Sequence, residues 1–152
     1  MDGGTGLIAQ TIQLALAPVF VLVAIGNIMN ILSTRLGRIV DRSRVLQERH
    51  PETEGPEHDA IVREMRILDR RIHTIGRAIL SLVLSGLTIG FCVALLFVEE
   101  LFKVNMQQVA AFAFMIAIGL LMWALTQFLR EIREATAALR IPEEYLEPGR
   151  EL

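Results

Sequence analysis

Three long apolar runs constrain this chain more than any other feature: about residues 7–32, 78–98 and 109–129. Each supplies the ~20 apolar residues that a helix needs to cross a ~30 Å hydrocarbon core. The apolar content is 53%, above the ~45–50% of soluble domains, and the excess is concentrated in these blocks. The expected fold is therefore all-α, a polytopic membrane protein of three transmembrane helices. With 152 residues there is room for a single membrane domain. Its spans are placed at about 10–32, 78–98 and 109–129.

Charge gives the orientation. Ten arginines, Arg35, Arg38, Arg42, Arg44, Arg49, Arg63, Arg66, Arg70, Arg71 and Arg77, lie between the first two runs. Arg130, Arg133, Arg140 and Arg150 follow the third, and the short 99–107 connection has only Lys103. Lys and Arg accumulate on the cytoplasmic side of membrane proteins. The expectation is an N-terminus and 99–107 loop outside, with residues 33–77 and the C-terminus in the cytoplasm. A cleaved signal peptide is disfavoured, because the charged n-region is missing and the first run continues past Ala15, Leu16 and Ala17.

The first run does not stop at the membrane. Apolar residues recur at Leu32, Leu36, Ile39 and Leu46, with Ser43 where another would fall. That 4-3 spacing is a heptad seam of the coiled-coil kind. Ile61, Met65, Leu68, Ile72, Ile75, Ile79 and Leu82 make a matching one before and into the second run. Between them, His50 to Asp59 holds two prolines and a glycine and reads as a break, with Asp59 as N-cap of the returning helix. Residues 33–77 should thus form a cytoplasmic αα-hairpin continuous with the first two spans. Pro18 is expected to kink the first helix. Leu125, Phe128, Ile132, Ala135 and Leu139 extend the third helix below the membrane to near Ile141, before an acidic tail; residues 130–152 form this extension and tail.

Two polar stripes accompany the seams. At 100° per residue, Asn27, Asn30, Thr34, Arg38 and Asp41 share one face of the first helix, opposite its seam. Arg63, Arg66, Arg70, Arg77, Ser81 and Thr88 do so on the second, with Ser85 and Cys92 at the edge. Asn27 and Asn30 fall at membrane depth, where an amide facing lipid leaves donors and acceptors unpaired. They should pack against another helix or line a water-filled path. Ser81, Ser85, Gly86, Thr88 and Gly90 favour close helix packing. Below the membrane, Arg35, Arg42, Arg66, Arg70 and Arg77 are candidate contacts for lipid headgroups or a partner. Asp41 can pair locally with Arg38 or Arg44 and, across the hairpin, with Arg66 or Arg70.

Catalytic and cofactor signatures do not occur: the chain has no nucleophile elbow, zinc-protease helix, phosphate loop or dinucleotide fingerprint. Ser81 and Ser85 have no base at membrane depth to activate them. His50 and His58 among carboxylates match no recognised metal spacing, and Cys92 reads as a small packing residue. Trp123 and Tyr145 are too few for nucleic-acid stacking. No enzyme, cofactor, metal or nucleic-acid function is expected; the partners expected are the lipid bilayer, further copies of the chain and a cytoplasmic protein.

The stretch from Pro18 to Leu46, PVFVLVAIGNIMNILSTRLGRIVDRSRVL, resembles a bacterial family of small three-span membrane proteins known as a domain of unknown function. The residues that carry the resemblance are Pro18, Phe20, Arg35, Arg38, Ile39, Val40, Asp41, Arg42 and Arg44. The three-span layout is similar over about residues 8–140. The resemblance implies a bacterial inner-membrane location and no activity. Two functional expectations follow from the residues themselves: an oligomeric scaffold that docks a partner through the hairpin, or an oligomeric channel. In the channel, Asn27, Asn30 and Thr34 would line the path and Arg35 and Arg38 its basic mouth.

Overall fold

The computed structural model describes residues 3–138, and these are helical throughout apart from two short connections. Helix α1 spans Gly3–Arg49, α2 spans Gly55–Phe102 and α3 spans Gln107–Ala138, with a single 3-10 turn at His50–Glu52. All three are long and apolar enough to cross a membrane, so this is a multi-pass membrane protein. Their outer surfaces agree: Phe20, Val23, Leu80, Leu87, Phe91, Phe112, Met115 and Trp123 are all exposed. A belt of that size would not be tolerated in water. The 47 and 48 residues of α1 and α2 make helices about 70 Å long at 1.5 Å per residue. Half of each therefore extends beyond the bilayer as the expected hairpin. The acidic tail, Leu139 and the proposed stop before Pro142 lie outside the described residues.

The break between the arms is shorter than its composition suggests. Asp59 is not the cap of α2. The helix starts at Gly55, whose φ of +65° requires a residue without a side chain, and Glu54 precedes it in extended conformation. Pro56 then fits the first turn, where its missing N–H would be unpaired anyway. Helix α1 runs through Pro18 without interruption. At the far end, Lys103 closes α2 in the left-handed conformation (φ 55°), and a short connection leads into α3.

Packing is arranged around α2, which contacts both other helices along its length, while α1 and α3 meet only sparsely. The α1–α2 seam is made of large aliphatics at intervals of seven: Ile25, Leu32, Ile39 and Leu46 face Ile61, Leu68, Ile75, Leu82 and Ile89, all buried. Ion pairs Arg42–Glu64 and Arg49–Glu57 fix the register, seven residues apart on each arm as antiparallel helices require. In the hairpin, each such side chain contributes ~1.5–3 kcal/mol by leaving water. Within the bilayer the lipid is equally apolar, so only packing remains.

The α2–α3 seam has the same seven-residue repeat and the opposite residue size. Ala78, Ser85 and Cys92 of α2 meet Ala110, Ala117 and Ala124 of α3, every one buried. Ser85 Oγ donates to the Ala117 carbonyl at 2.7 Å and Cys92 Sγ to that of Ala110 at 3.3 Å. Such contacts need small side chains that let backbones approach. This seam corrects the one expected on the third helix. Leu125, Phe128, Ile132 and Ala135 are only half-buried, and the buried positions are Ala124, Gln127 and Glu131. The close approach centres the small residues and pushes the bulky ones to the flanks. Gly86 and Gly90 do not act as a pair either. Gly86 faces α1, with Leu22 3.8 Å from where its side chain would begin, and Gly90 has open space.

Candidate functional site

The small-residue series continues one step further than alanine. Seven residues beyond Ala124 stands Glu131, and seven before Ala78 stands Arg71. They meet as the earlier pairs do: Arg71 Nη2 donates to Glu131 Oε1 at 2.7 Å. Arg35 of α1 approaches the other oxygen, with Nη1 2.9 Å from Oε2. This second contact lacks hydrogen-bond alignment and is a charge–charge contact, so Glu131 Oε2 has no formal donor and Arg71 Nε has no acceptor. The Arg35 guanidinium also lies 5.7 Å from the Phe128 ring centre, within cation–π range.

All three helices therefore converge on one carboxylate whose side chain is 1% exposed, while Arg35 and Arg71 remain 33% and 24% exposed. Charges taken out of water persist only when paired. The triad lies just past the apolar runs: Glu131 is two residues beyond the third and Arg35 three beyond the first. Beside it, Arg35, Arg38, Arg42 and Arg71 line a groove of about 380 Å³ between α1 and α2, with Glu64, Ile39 and Leu68. Arg42 donates twice to Glu64, at 2.7 and 3.0 Å, a bidentate fork. That contact raises the Arg42 pKa above its ordinary value and keeps it charged.

The residues singled out by sequence separate into three groups. Asn27, Asn30, Thr34, Arg38 and Asp41 are exposed together, so the stripe on α1 is left uncovered among the described residues. Thr34 satisfies its hydroxyl on the Asn30 carbonyl at 2.9 Å, but the two amide side chains make no hydrogen bond among the described residues. The stripe on α2 divides. Its upper part, Ser81 and Ser85 with Cys92, is buried, Ser85 and Cys92 bonding to α3, while Arg63, Arg66, Arg70 and Arg77 below stay exposed. Arg35 and Arg42 form the third group, drawn into ion pairs.

The network expected around Asp41 does not form. Asp41 is exposed and has no ion pair with Arg38, Arg44, Arg66 or Arg70 among the described residues. Its place is taken by Glu64 and Glu131, because those carboxylates face a neighbouring helix and Asp41 faces away. His50 and His58 pack against each other at the hairpin tip, their ring centres 4.4 Å apart and their planes inclined by 58°. No three His, Cys, Asp or Glu residues gather as metal ligands among the described residues.

Arg71 and Glu131 were not among the sequence candidates, although a signal existed. Ala110, Ala117, Ala124 and Glu131 share one spacing, and a carboxylate ending a series of buried alanines marks a charge held by protein. No curated protein and no solved structure matches the chain. A family model matches residues 15–141 and so includes the spans, the hairpin and the triad. The chain thus belongs to the family described as Protein of unknown function (DUF2721).

Proposed function

We propose that the protein is a non-catalytic scaffold of the bacterial inner membrane that self-associates through the free face of α1. In this reading the N-terminus is outside, and the hairpin and C-terminus are cytoplasmic, as the one-sided arginines favour. The hairpin is then the docking surface for a cytoplasmic protein. The observation that carries the reading is the exposure of Asn27 and Asn30 at membrane depth with no side-chain hydrogen bond among the described residues. Lipid offers them no partner.

The occupant of that face is a second copy of the chain. Gly26, Asn30, Ser33 and Gly37 repeat the 4-3-4 spacing of a helix contact, all exposed, and the glycines have open space around them. An amide carries both donors and an acceptor, so identical faces related by a two-fold axis satisfy each other. Crosslinking in native membranes should capture an oligomer that Asn27→Leu/Asn30→Leu weakens; monomer alone in the wild type would count heavily against the proposal.

One observation favours a second reading, an oligomeric channel: the exposed stripe runs without a break from Asn27 to Arg38 and Asp41. In this reading Arg35 and Arg38 form the basic mouth, with Arg35 also paired to Glu131 and Arg38 exposed. Anion flux in proteoliposomes separates the two. Flux lost in Asn27→Leu/Asn30→Leu supports the channel, and absent or indifferent flux removes it. Labelling of cysteines placed at positions 27 and 30 by an aqueous reagent distinguishes water from packed amides.

A further inference from the structure

We propose that the arginine-lined groove between α1 and α2 is a binding site for the phosphate of an anionic phospholipid. The groove is built within one chain and does not require self-association; of its residues Arg38 also belongs to the exposed α1 stripe. Its charge is unbalanced. Four guanidiniums, those of Arg35, Arg38, Arg42 and Arg71, line it. Two carboxylates serve them, and both are already engaged: Glu64 by Arg42, and Glu131 by Arg71 and Arg35. Arg38 has no ion pair among the described residues, and Arg71 keeps a donor without an acceptor. A net excess of positive charge therefore faces a concavity of about 380 Å³, within the ~300–1,000 Å³ of small-molecule sites.

Preorganisation and depth identify the occupant. Glu131 and Glu64 hold three of the four guanidiniums in place before any ligand arrives, which reduces the ordering cost of binding. Planar guanidinium forks match phosphate oxygens. Arg35 and Arg38 stand three and six residues past the apolar run, or about 5–9 Å along the helix. That is the thickness of the headgroup layer on one side of a bilayer, roughly 5–8 Å. A lipid phosphate is the anion already present at that depth.

The test uses the full chain in detergent micelles, with thermal unfolding and native mass spectrometry as readouts. Phosphatidylglycerol should raise the unfolding midpoint and remain bound; phosphatidylcholine should do neither. Arg38→Gln should weaken phosphatidylglycerol retention about tenfold, the worth of one charge-assisted hydrogen bond. Arg38 is exposed and has no ion pair among the described residues, so the substitution removes no packing seen there. Arg44→Gln removes the same charge from an exposed position of the hairpin outside the groove and should leave retention unchanged. Equal losses in the two variants would reduce the effect to general surface attraction and overturn the site. Equal stabilisation by the two lipids would do the same. Inorganic phosphate that matches the shift and displaces phosphatidylglycerol would show that the groove takes free phosphate, overturning the lipid assignment.

Discussion

Helix α2 is packed on two faces that use one repeat and opposite materials. Toward α1 every seventh residue is a large aliphatic, from Ile61 to Ile89; toward α3 it is Ala78, Ser85 or Cys92. The difference follows the surroundings. The α1 contact continues into a hairpin outside the membrane, where burying Leu46 or Leu68 takes apolar surface out of water. The α3 contact lies mainly within the membrane, where burial itself gains nothing over lipid. There, close backbone approach and hydroxyl-to-carbonyl bonds must hold the helices. Where the small seam leaves the membrane its last step is Arg71–Glu131, a polar lock at the point where water becomes available.

This contrast can be broken most severely at the lock. Replacing Arg35 and Arg71 together by Ala leaves Glu131, 1% exposed, without a partner. The expected loss is about 3–5 kcal/mol, measured as a drop in unfolding free energy in micelles. Glu131→Ala should cost less, although it dissolves the same triad. The stranded guanidiniums are already a quarter to a third exposed and can extend to water. Equal costs would mean that the arginines are as confined as the carboxylate.

Opposite changes in size should break the two seams. Leu46→Ala removes a 2%-exposed side chain from the hairpin and should cost about 2–5 kcal/mol, seen as faster proteolysis near the tip with the α2–α3 contact intact. Ala117→Leu adds bulk at a 0%-exposed position and should cost about 1–3 kcal/mol. It should separate α2 from α3 and abolish a disulfide engineered between positions 78 and 124. The smallest effect is expected for Ser85→Ala, roughly 0.6 kcal/mol, because the Ala117 carbonyl keeps its helical partner. A loss several times larger would show that the hydroxyl, and not the small volume, holds that seam.

The first seam was legible in the sequence and the second was not, for a physical reason. Leu32, Ile39 and Leu46 stand out against polar neighbours once the chain leaves the membrane, so their spacing is visible as hydropathy. Ala110, Ala117 and Ala124 lie within an apolar run and differ from their neighbours only in size. Glu131 and Arg71 were hidden in another way. Counting charges by segment treats all arginines alike, and only packing distinguishes Arg71, held by Glu131, from Arg70, which is exposed. Asn27 and Asn30 were legible as a stripe. That α3 would cover the upper part of the α2 stripe and leave theirs open depended on which helix carried the matching small residues.

The sparse meeting of α1 and α3 has a mechanical meaning. Beyond the last turns of the apolar segments, Arg35 ties α1 to α3 through Glu131 and lies over Phe128. At the opposite end, Ala17, Pro18, Cys92, Leu96, Gln107, Ala110, Ala111 and Phe114 surround an apolar cleft of about 240 Å³ among the same three helices. The molecule is thus pinned at one end and gapped at the other, like a pair of forceps. A swing of α1 about the pin would widen or close the cleft and leave the α2–α3 seam untouched, at the expense of the α1–α2 packing around Ile25 and Ile89.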